Sequence, residues 1–204
     1  MKIRYLLFLT LSPFVSADTP DSLEWQGYCL PKAFLAPSSF MNNGNEKGQY
    51  DDATGFGPTL FIDGAYLSKQ INGFQHTSSD KASGIIYHHL HANLSTQVLQ
   101  KSPNTSSPLT PSIDGALLFD MLSPYHWDAY QYQPNNKQQN YQYWGSCMRD
   151  GHGDDDPSYR CNLQASLNKA ITANYELHDE NITLYQQINQ WLITRLTGWQ
   201  CESP

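Results

Sequence analysis

The stretch on which the predicted fold depends is residues 161–201, CNLQASLNKAITANYELHDENITLYQQINQWLITRLTGWQC. Apolar residues recur in it every three or four positions, in two groups separated by the polar break at 178–180. This spacing is typical of the buried face of an amphipathic helix, and Gly198 would end the second helix. The stretch therefore predicts a C-terminal antiparallel helical hairpin. The two groups are Leu163, Leu167, Ile171 and Tyr175, then Ile182, Tyr185, Ile188, Leu192 and Leu196.

Three upstream segments are also predicted to be helical: residues 59–71, 79–100 and 113–122. Residues 124–160 lack helical spacing and are predicted to form a long irregular region. The predicted fold class is therefore a predominantly α domain with long irregular loops, stapled by disulfides, and the alternative is an α+β domain. Because the chain has 204 residues, we expect one globular domain, residues 18–204.

Residues 1–17 have the pattern of a cleaved signal peptide. Lys2 and Arg4 precede an apolar run at 5–15, and small residues lead to a cleavage site after Ala17. The run is shorter than the roughly 20 apolar residues of a transmembrane helix. The mature chain is therefore predicted to lack a membrane span and to be periplasmic or secreted.

Four cysteines remain after the predicted cleavage, which in an exported chain indicates two disulfides. A helical hairpin would bring Cys161 beside Cys201, which favours that bridge and leaves Cys29 with Cys147. The alternative is a local bridge between Cys147 and Cys161, with Cys29–Cys201 joining the ends of the chain.

The composition excludes some classes of function. Charged residues make up 15% of the chain, against about 25% in a typical domain, and amides replace them, with 14 Asn and 16 Gln. The net charge of −7 argues against a nucleic-acid-binding protein, which needs a basic face. The nucleophile elbow, the P-loop and the dinucleotide-binding fingerprint are all absent.

Aromatic and amide side chains are concentrated in 124–144, where rings could supply contact area and amides adaptable hydrogen bonds. The first functional hypothesis is therefore an exported, non-catalytic binding protein of undetermined oligomeric state. Its partner would be another exported protein, in an inhibitor or immunity-like role, or a surface glycan. The predicted ligand-binding residues are Tyr125, Trp127, Tyr130, Tyr132, Tyr143 and Trp144.

Histidines and aspartates suggest a metal site. On the helix predicted over 79–100, His88 and His91 would share a face, and two imidazoles at this spacing suit zinc. The acidic loop at 150–156 could supply a further ligand, or could bind calcium through its carboxylates. The second hypothesis is therefore a small secreted metal-dependent hydrolase. Its predicted metal ligands are His88, His91, His152, Asp154 and Asp156.

Overall fold

Strands predominate in this chain. The computed structural model describes residues 21–37, 56–80, 84–103, 110–111, 117–123, 125–132, 141–149 and 158–201. The three α-helices of these residues are short: α1 is Gly64–Gln70, α2 is Asp179–Ile182 and α3 is Tyr185–Gly198. The prediction of a predominantly α domain is therefore wrong.

One antiparallel sheet dominates the fold. In chain order the strands are β1 Ser22–Trp25, β2 Tyr28–Pro31, β3 Phe56–Ile62, β4 Thr77–Asp80, β5 Gly84–Tyr87, β6 Leu90–Ser95, β7 Thr110–Pro111, β8 Leu117–Ser123, β9 His126–Tyr132, β10 Tyr141–Arg149, β11 Tyr159–Ser166 and β12 Thr172–His178. Eight of them form the sheet, in the order β3-β6-β12-β11-β10-β9-β8-β7, with the two-residue β7 at one edge. The other four pair as two separate hairpins, β1–β2 and β4–β5.

The first predicted helix of the C-terminal hairpin is instead the strand pair β11 and β12. Ala173, Tyr175 and Leu177 of β12 are buried, and the residues between them face the other side of the sheet. A spacing of four residues puts side chains on one face of a helix, but four is also a multiple of the two-residue strand period. Asn168 reverses the chain between the strands, since its side chain accepts hydrogen bonds from two backbone amides of the turn, each at 2.8 Å. The prediction of a helical hairpin is wrong.

The same ambiguity explains the helix that was predicted over 79–100. Leu90 and Leu94 are buried as predicted, but they lie on β6 with buried Ala92 between them. Residues 79–80 and 84–87 of the segment belong to the β4–β5 hairpin. The four-residue stripe here is the core face of a strand, and the predicted helix is absent.

Two other segments are also strands. The part of 113–122 that the structure describes belongs to β8, and the region 124–160, predicted to be irregular, contains β9, β10 and the start of β11. Their pairing explains the difference, because backbone hydrogen bonds along an antiparallel ladder hold even amide-rich sequence as strands. Of the helix predicted over 59–71, only the part that forms α1 is helical. The Asp63 side chain caps α1 by accepting a hydrogen bond from the Tyr66 amide at 3.0 Å.

Helix α3 covers one face of the sheet, and its apolar residues are buried as predicted. Its Tyr185 ring lies 4.6 Å from the Trp144 ring of β10, between centroids. Its Asn189 accepts a hydrogen bond from the Tyr175 hydroxyl of β12. No helix among the residues that the structure describes is long and apolar enough to cross a membrane. The hydrophobic core therefore lies between α3 and the sheet, and on the opposite face β6, β11 and β12 carry polar side chains.

The two disulfides are Cys29–Cys201 and Cys147–Cys161. The favoured pairing was wrong because the helical hairpin that would have brought Cys161 to Cys201 does not form. Instead, Cys147 and Cys161 are register partners on the neighbouring strands β10 and β11. The Cys29 amide donates to the Trp199 carbonyl at 2.6 Å, which docks the β1–β2 hairpin on the chain's C-terminal segment.

Candidate metal centre

The polar face of the sheet carries a cavity of about 360 Å³. Alternation along the strands puts its side chains there, since residues between the buried positions of β6, β11 and β12 point away from the core. Imidazoles and amides dominate the lining. They include His91 and Asn93 from β6, Asn162 from β11, and Asn174, Glu176 and His178 from β12.

At the end of this cavity, three potential metal ligands converge. His88 lies between β5 and β6, His178 ends β12, and Glu180 is in α2. One ligand atom from each lies within 4.8 Å of the other two, and the two imidazole rings are 4.7 Å apart between centroids. An ion bound by all three would draw these atoms to within about 4 Å of one another, because zinc–ligand distances are about 2 Å. Small side-chain rotations would achieve this.

Two loops hold the cluster in place. The His88 amide donates to the His76 carbonyl at 2.9 Å. Next to His76, the Gln75 amide donates to Asn181 Oδ1 and the Gln75 carbonyl accepts from Asn181 Nδ2, both at 2.8 Å. Asn181 is only 1% exposed. It follows Glu180 directly, so the clamp fixes the backbone that carries Glu180 against the segment that fixes His88.

A glycine allows α1 to pack closely against the cluster. An ideal Cβ at Gly64 would lie 1.8 Å from the His88 carbonyl oxygen, which no side chain tolerates. The Gly64 amide also donates to His89 Nδ1 at 3.2 Å. The start of α1 therefore contacts the backbone of His88 and the ring of His89.

Ser78 determines which ring nitrogen of the neutral His88 imidazole carries the proton. The Ser78 hydroxyl donates a hydrogen bond that lowers the pKa of the Glu180 carboxyl, and it lies 2.8 Å from His88 Nε2. A serine hydroxyl has one proton, so it must accept from Nε2–H when it donates to Glu180. In this tautomer His88 Nδ1 keeps its lone pair, as a metal ligand needs.

Two polar atoms of the cluster are buried and have no hydrogen-bond partner. His88 is 4% exposed, and neither its Nδ1 nor Glu180 Oε2 has a hydrogen-bond partner in the structure. A buried polar atom without a partner costs about 1–3 kcal/mol. Both atoms belong to residues of the three-residue cluster, and coordination to an ion would satisfy them.

Electrostatics keep the ligands in the binding form. Burial lowers the pKa of His88, and the neighbouring His178 and His89 lower it further against the opposing effect of Glu180. Burial alone would raise the pKa of Glu180, but hydrogen bonds from its own backbone amide, from Asp179 and from Ser78 lower it overall. Burial and the hydrogen bond with Glu180 raise the pKa of Asp179 to about 6. At neutral pH the cluster thus has a neutral imidazole at His88 and a carboxylate at Glu180.

The predicted metal ligands are only partly brought together. His88 is in the cluster, whereas His91 lies three residues further on, exposed on β6, with its ring 5.0 Å from that of Phe61. On a helix these two histidines would share a face. Here the chain is extended, and both side chains line the cavity, but of the two it is His88 that belongs to the three-residue cluster. His152, Asp154 and Asp156 lie outside the described residues.

Three of the six predicted aromatic contact residues are buried. Trp127, Tyr130 and Trp144 are buried, Tyr143 is half-buried, and Tyr125 is exposed. The side chain of Tyr132 lies outside the described part of the structure. Rings such as that of Trp127, which packs 5.5 Å from Tyr159 between centroids, contribute to the packing between strands.

The predicted ligand set does not include His178 and Glu180, because the helical interpretation placed both in a polar break between helices. The signal was the alternation in β12, where Asn174, Glu176 and His178 are each separated by one apolar residue. Strand periodicity would have placed these three side chains on one face.

The evidence for the function of this chain is therefore the geometry of its cluster and cavity. No protein-family model matches this chain, and no curated protein or solved structure matches it either.

Proposed function

We propose that this chain is an exported metal-dependent hydrolase whose metal ion is held by His88, His178 and Glu180. The observation that carries the proposal is the pair of unpartnered buried atoms, His88 Nδ1 and Glu180 Oε2, in a cluster whose ligand atoms lie within 4.8 Å. This is the metal-dependent hydrolase predicted from the sequence, with His88 kept as a ligand and with His178 and Glu180 in place of the other predicted ligands.

The donor set favours a transition metal. Two imidazoles and one carboxylate suit zinc, whereas calcium takes oxygen ligands almost exclusively. Catalytic zinc sites commonly use three protein ligands and keep a further position for water. A metal held by His88, His178 and Glu180 would lower the pKa of that water and so supply the nucleophile for hydrolysis of an acyl bond. Such a reaction would consume one water, with its hydroxyl added to the acyl carbon and its proton to the leaving group.

Export is supported by the two disulfides, which persist in oxidising compartments. The contact-surface hypothesis, with an exported protein or glycan as partner, remains a prediction. The burial of Trp127, Tyr130 and Trp144 gives it no support.

Metal analysis tests the ligand set. Protein purified without a histidine tag, incubated with Zn²⁺ and desalted should retain one zinc per chain. His88→Ala, His178→Ala and Glu180→Gln should each lose it. His91→Ala is the matched control and should keep it, because His91 is outside the cluster. Absence of bound zinc in the unaltered chain, or equal loss in the His91 variant, would contradict the site.

Hydrolysis is tested separately with 4-nitrophenyl acetate. The zinc-loaded chain should release 4-nitrophenol faster than the EDTA-treated chain, and His88→Ala should resemble the EDTA-treated chain. Equal rates with and without bound zinc would refute the hydrolase and leave the metal site standing.

A further inference from the structure

We infer that the cavity beside the cluster binds a small anionic oxygen-donor ligand, a carboxylate or hydroxamate, through an open position on the metal and a row of asparagine amides. This inference rests on the proposed metal site. It specifies the substrate class, since hydrolysis of an acyl compound yields a carboxylate that such a cavity would hold.

The open position follows from the number of ligands. Within the part of the chain that the structure describes, the cluster contains three ligand residues, whereas zinc takes at least four ligands. The cavity is lined by two of the three, His88 and His178. Its volume of about 360 Å³ is at the lower end of the range for small-molecule sites. An exchangeable ligand on the metal therefore has room on the cavity side.

The amides form a row across three neighbouring strands. Asn93 of β6 and Asn174 of β12 are register partners, and Asn162 of β11 is the register partner of Glu176. Neighbouring strands are about 4.8 Å apart, so the row can hydrogen-bond several oxygens of one ligand. Thr59 donates to Asn93 Oδ1 at 2.6 Å, which orients that amide and makes its nitrogen the end available as a donor.

The charge balance selects an anion. A divalent ion with the Glu180 carboxylate leaves one net positive charge at the metal. The carboxylate of the cavity lining, Glu176, is offset by Arg160, whose Nε lies 3.8 Å from Glu176 Oε2. Amide N–H donors and a net positive centre together favour a carboxylate-type oxygen over a cationic ligand.

The test uses the full chain loaded with Co²⁺, whose visible absorption reports its coordination. Titration with acetohydroxamate should change the spectrum saturably, with the Co²⁺ still bound to the protein after desalting. Asn162→Ala and Asn174→Ala should each weaken acetohydroxamate binding about three- to tenfold, as expected for the loss of one hydrogen bond. Gln187→Ala, which alters an exposed amide on α3, is the matched control and should bind as the unaltered chain does.

The outcomes separate the two proposals. No protein-bound Co²⁺ spectrum would refute the metal site itself. A Co²⁺ spectrum that acetohydroxamate leaves unchanged, or from which it only strips the metal, would overturn the open position. Saturable binding that both asparagine variants retain at full strength would overturn the role of the amides.

Discussion

His88 Nε2 and Ser78 Oγ lie 2.8 Å apart, and this contact assigns the proton of the neutral imidazole to Nε2 and leaves the lone pair on Nδ1. Without the hydroxyl, His88 could rotate or protonate Nδ1. Ser78→Ala should therefore lower zinc affinity about 10- to 100-fold, the usual effect of losing a partner of a metal ligand. Competition with a chromophoric chelator measures this affinity. Ser79→Ala, at the exposed neighbouring position, should leave the affinity unchanged, and an unchanged affinity in the Ser78 variant would contradict the tautomer assignment.

Asn181 clamps the backbone of Gln75 with two hydrogen bonds of 2.8 Å. Asn181→Ala leaves the Gln75 amide and carbonyl without these partners in a partly buried setting, so we expect a loss of about 1–3 kcal/mol in the free energy of unfolding. Urea unfolding monitored by tryptophan fluorescence measures it. The exposed Asn72 provides the control, since Asn72→Ala should change stability by less than about 0.5 kcal/mol. Equal effects at the two positions would contradict the clamp.

Gly64 has no room for a side chain, because its Cβ would lie 1.8 Å from the His88 carbonyl oxygen. Gly64→Ala must displace either α1 or the His88 backbone, at a cost of about 1–3 kcal/mol. Thermal unfolding and zinc affinity should both fall. At Gly198 a Cβ would meet nothing within 4 Å, so Gly198→Ala should leave both quantities near their original values. Retention of full zinc affinity in the Gly64 variant would show that α1 does not position the site.

Tyr175 makes stability sensitive to alkaline pH. Burial, with a smaller contribution from Tyr185, raises the pKa of its hydroxyl in the folded chain. In the unfolded chain this hydroxyl ionises near pH 10. Above that pH the unfolded state releases a proton that the folded state keeps, so the free energy of unfolding falls as the pH rises and is unaffected well below pH 10. Tyr175→Phe should reduce this fall between about pH 9 and pH 11.

The same variant also loses its hydrogen bond to Asn189, so its stability at pH 8 should be lower by about 1 kcal/mol. Urea unfolding across the pH range gives both quantities. Tyr125→Phe, at an exposed position, should retain the original pH slope. A slope that is unchanged in the Tyr175 variant would contradict burial of a neutral phenol.

Export has its own test at the N-terminus. Expression of the full chain in a bacterium should yield a periplasmic form that begins at Asp18, as measured by intact mass. Leu9→Arg interrupts the apolar run and should keep the uncleaved chain in the cytoplasm. A periplasmic chain that still begins at Met1 would contradict the predicted cleavage.

Helix α3 was predictable because its apolar spacing mixes intervals of three and four. Tyr185 and Ile188 are three residues apart and both buried, whereas residues at an odd interval on a strand lie on opposite faces. From Leu163 to Tyr175, across β11, the turn and β12, every interval is four, which fits helix and strand equally. Ala165 and Ala173, buried at the intermediate strand positions, were the residues that distinguished the two.

The cluster was less predictable because its parts are distant in sequence. His88 was identified as a candidate ligand, but His178 and Glu180 reach it only through the pairing of β6 with β12. Local periodicity carries no information about which strands become neighbours. The three asparagine positions of the cavity depend on the same register.

The bridge between Cys29 and Cys201 spans 172 residues, so it turns nearly the whole described chain into a covalent ring. In the chain-entropy description, a loop of this length restricts the unfolded ensemble by about 5 kcal/mol. A single peptide-bond cut anywhere inside the ring leaves one molecule of unchanged mass apart from one added water. Such a nicked chain separates into two pieces only after reduction, so one cut inside the ring detaches no part of the protein.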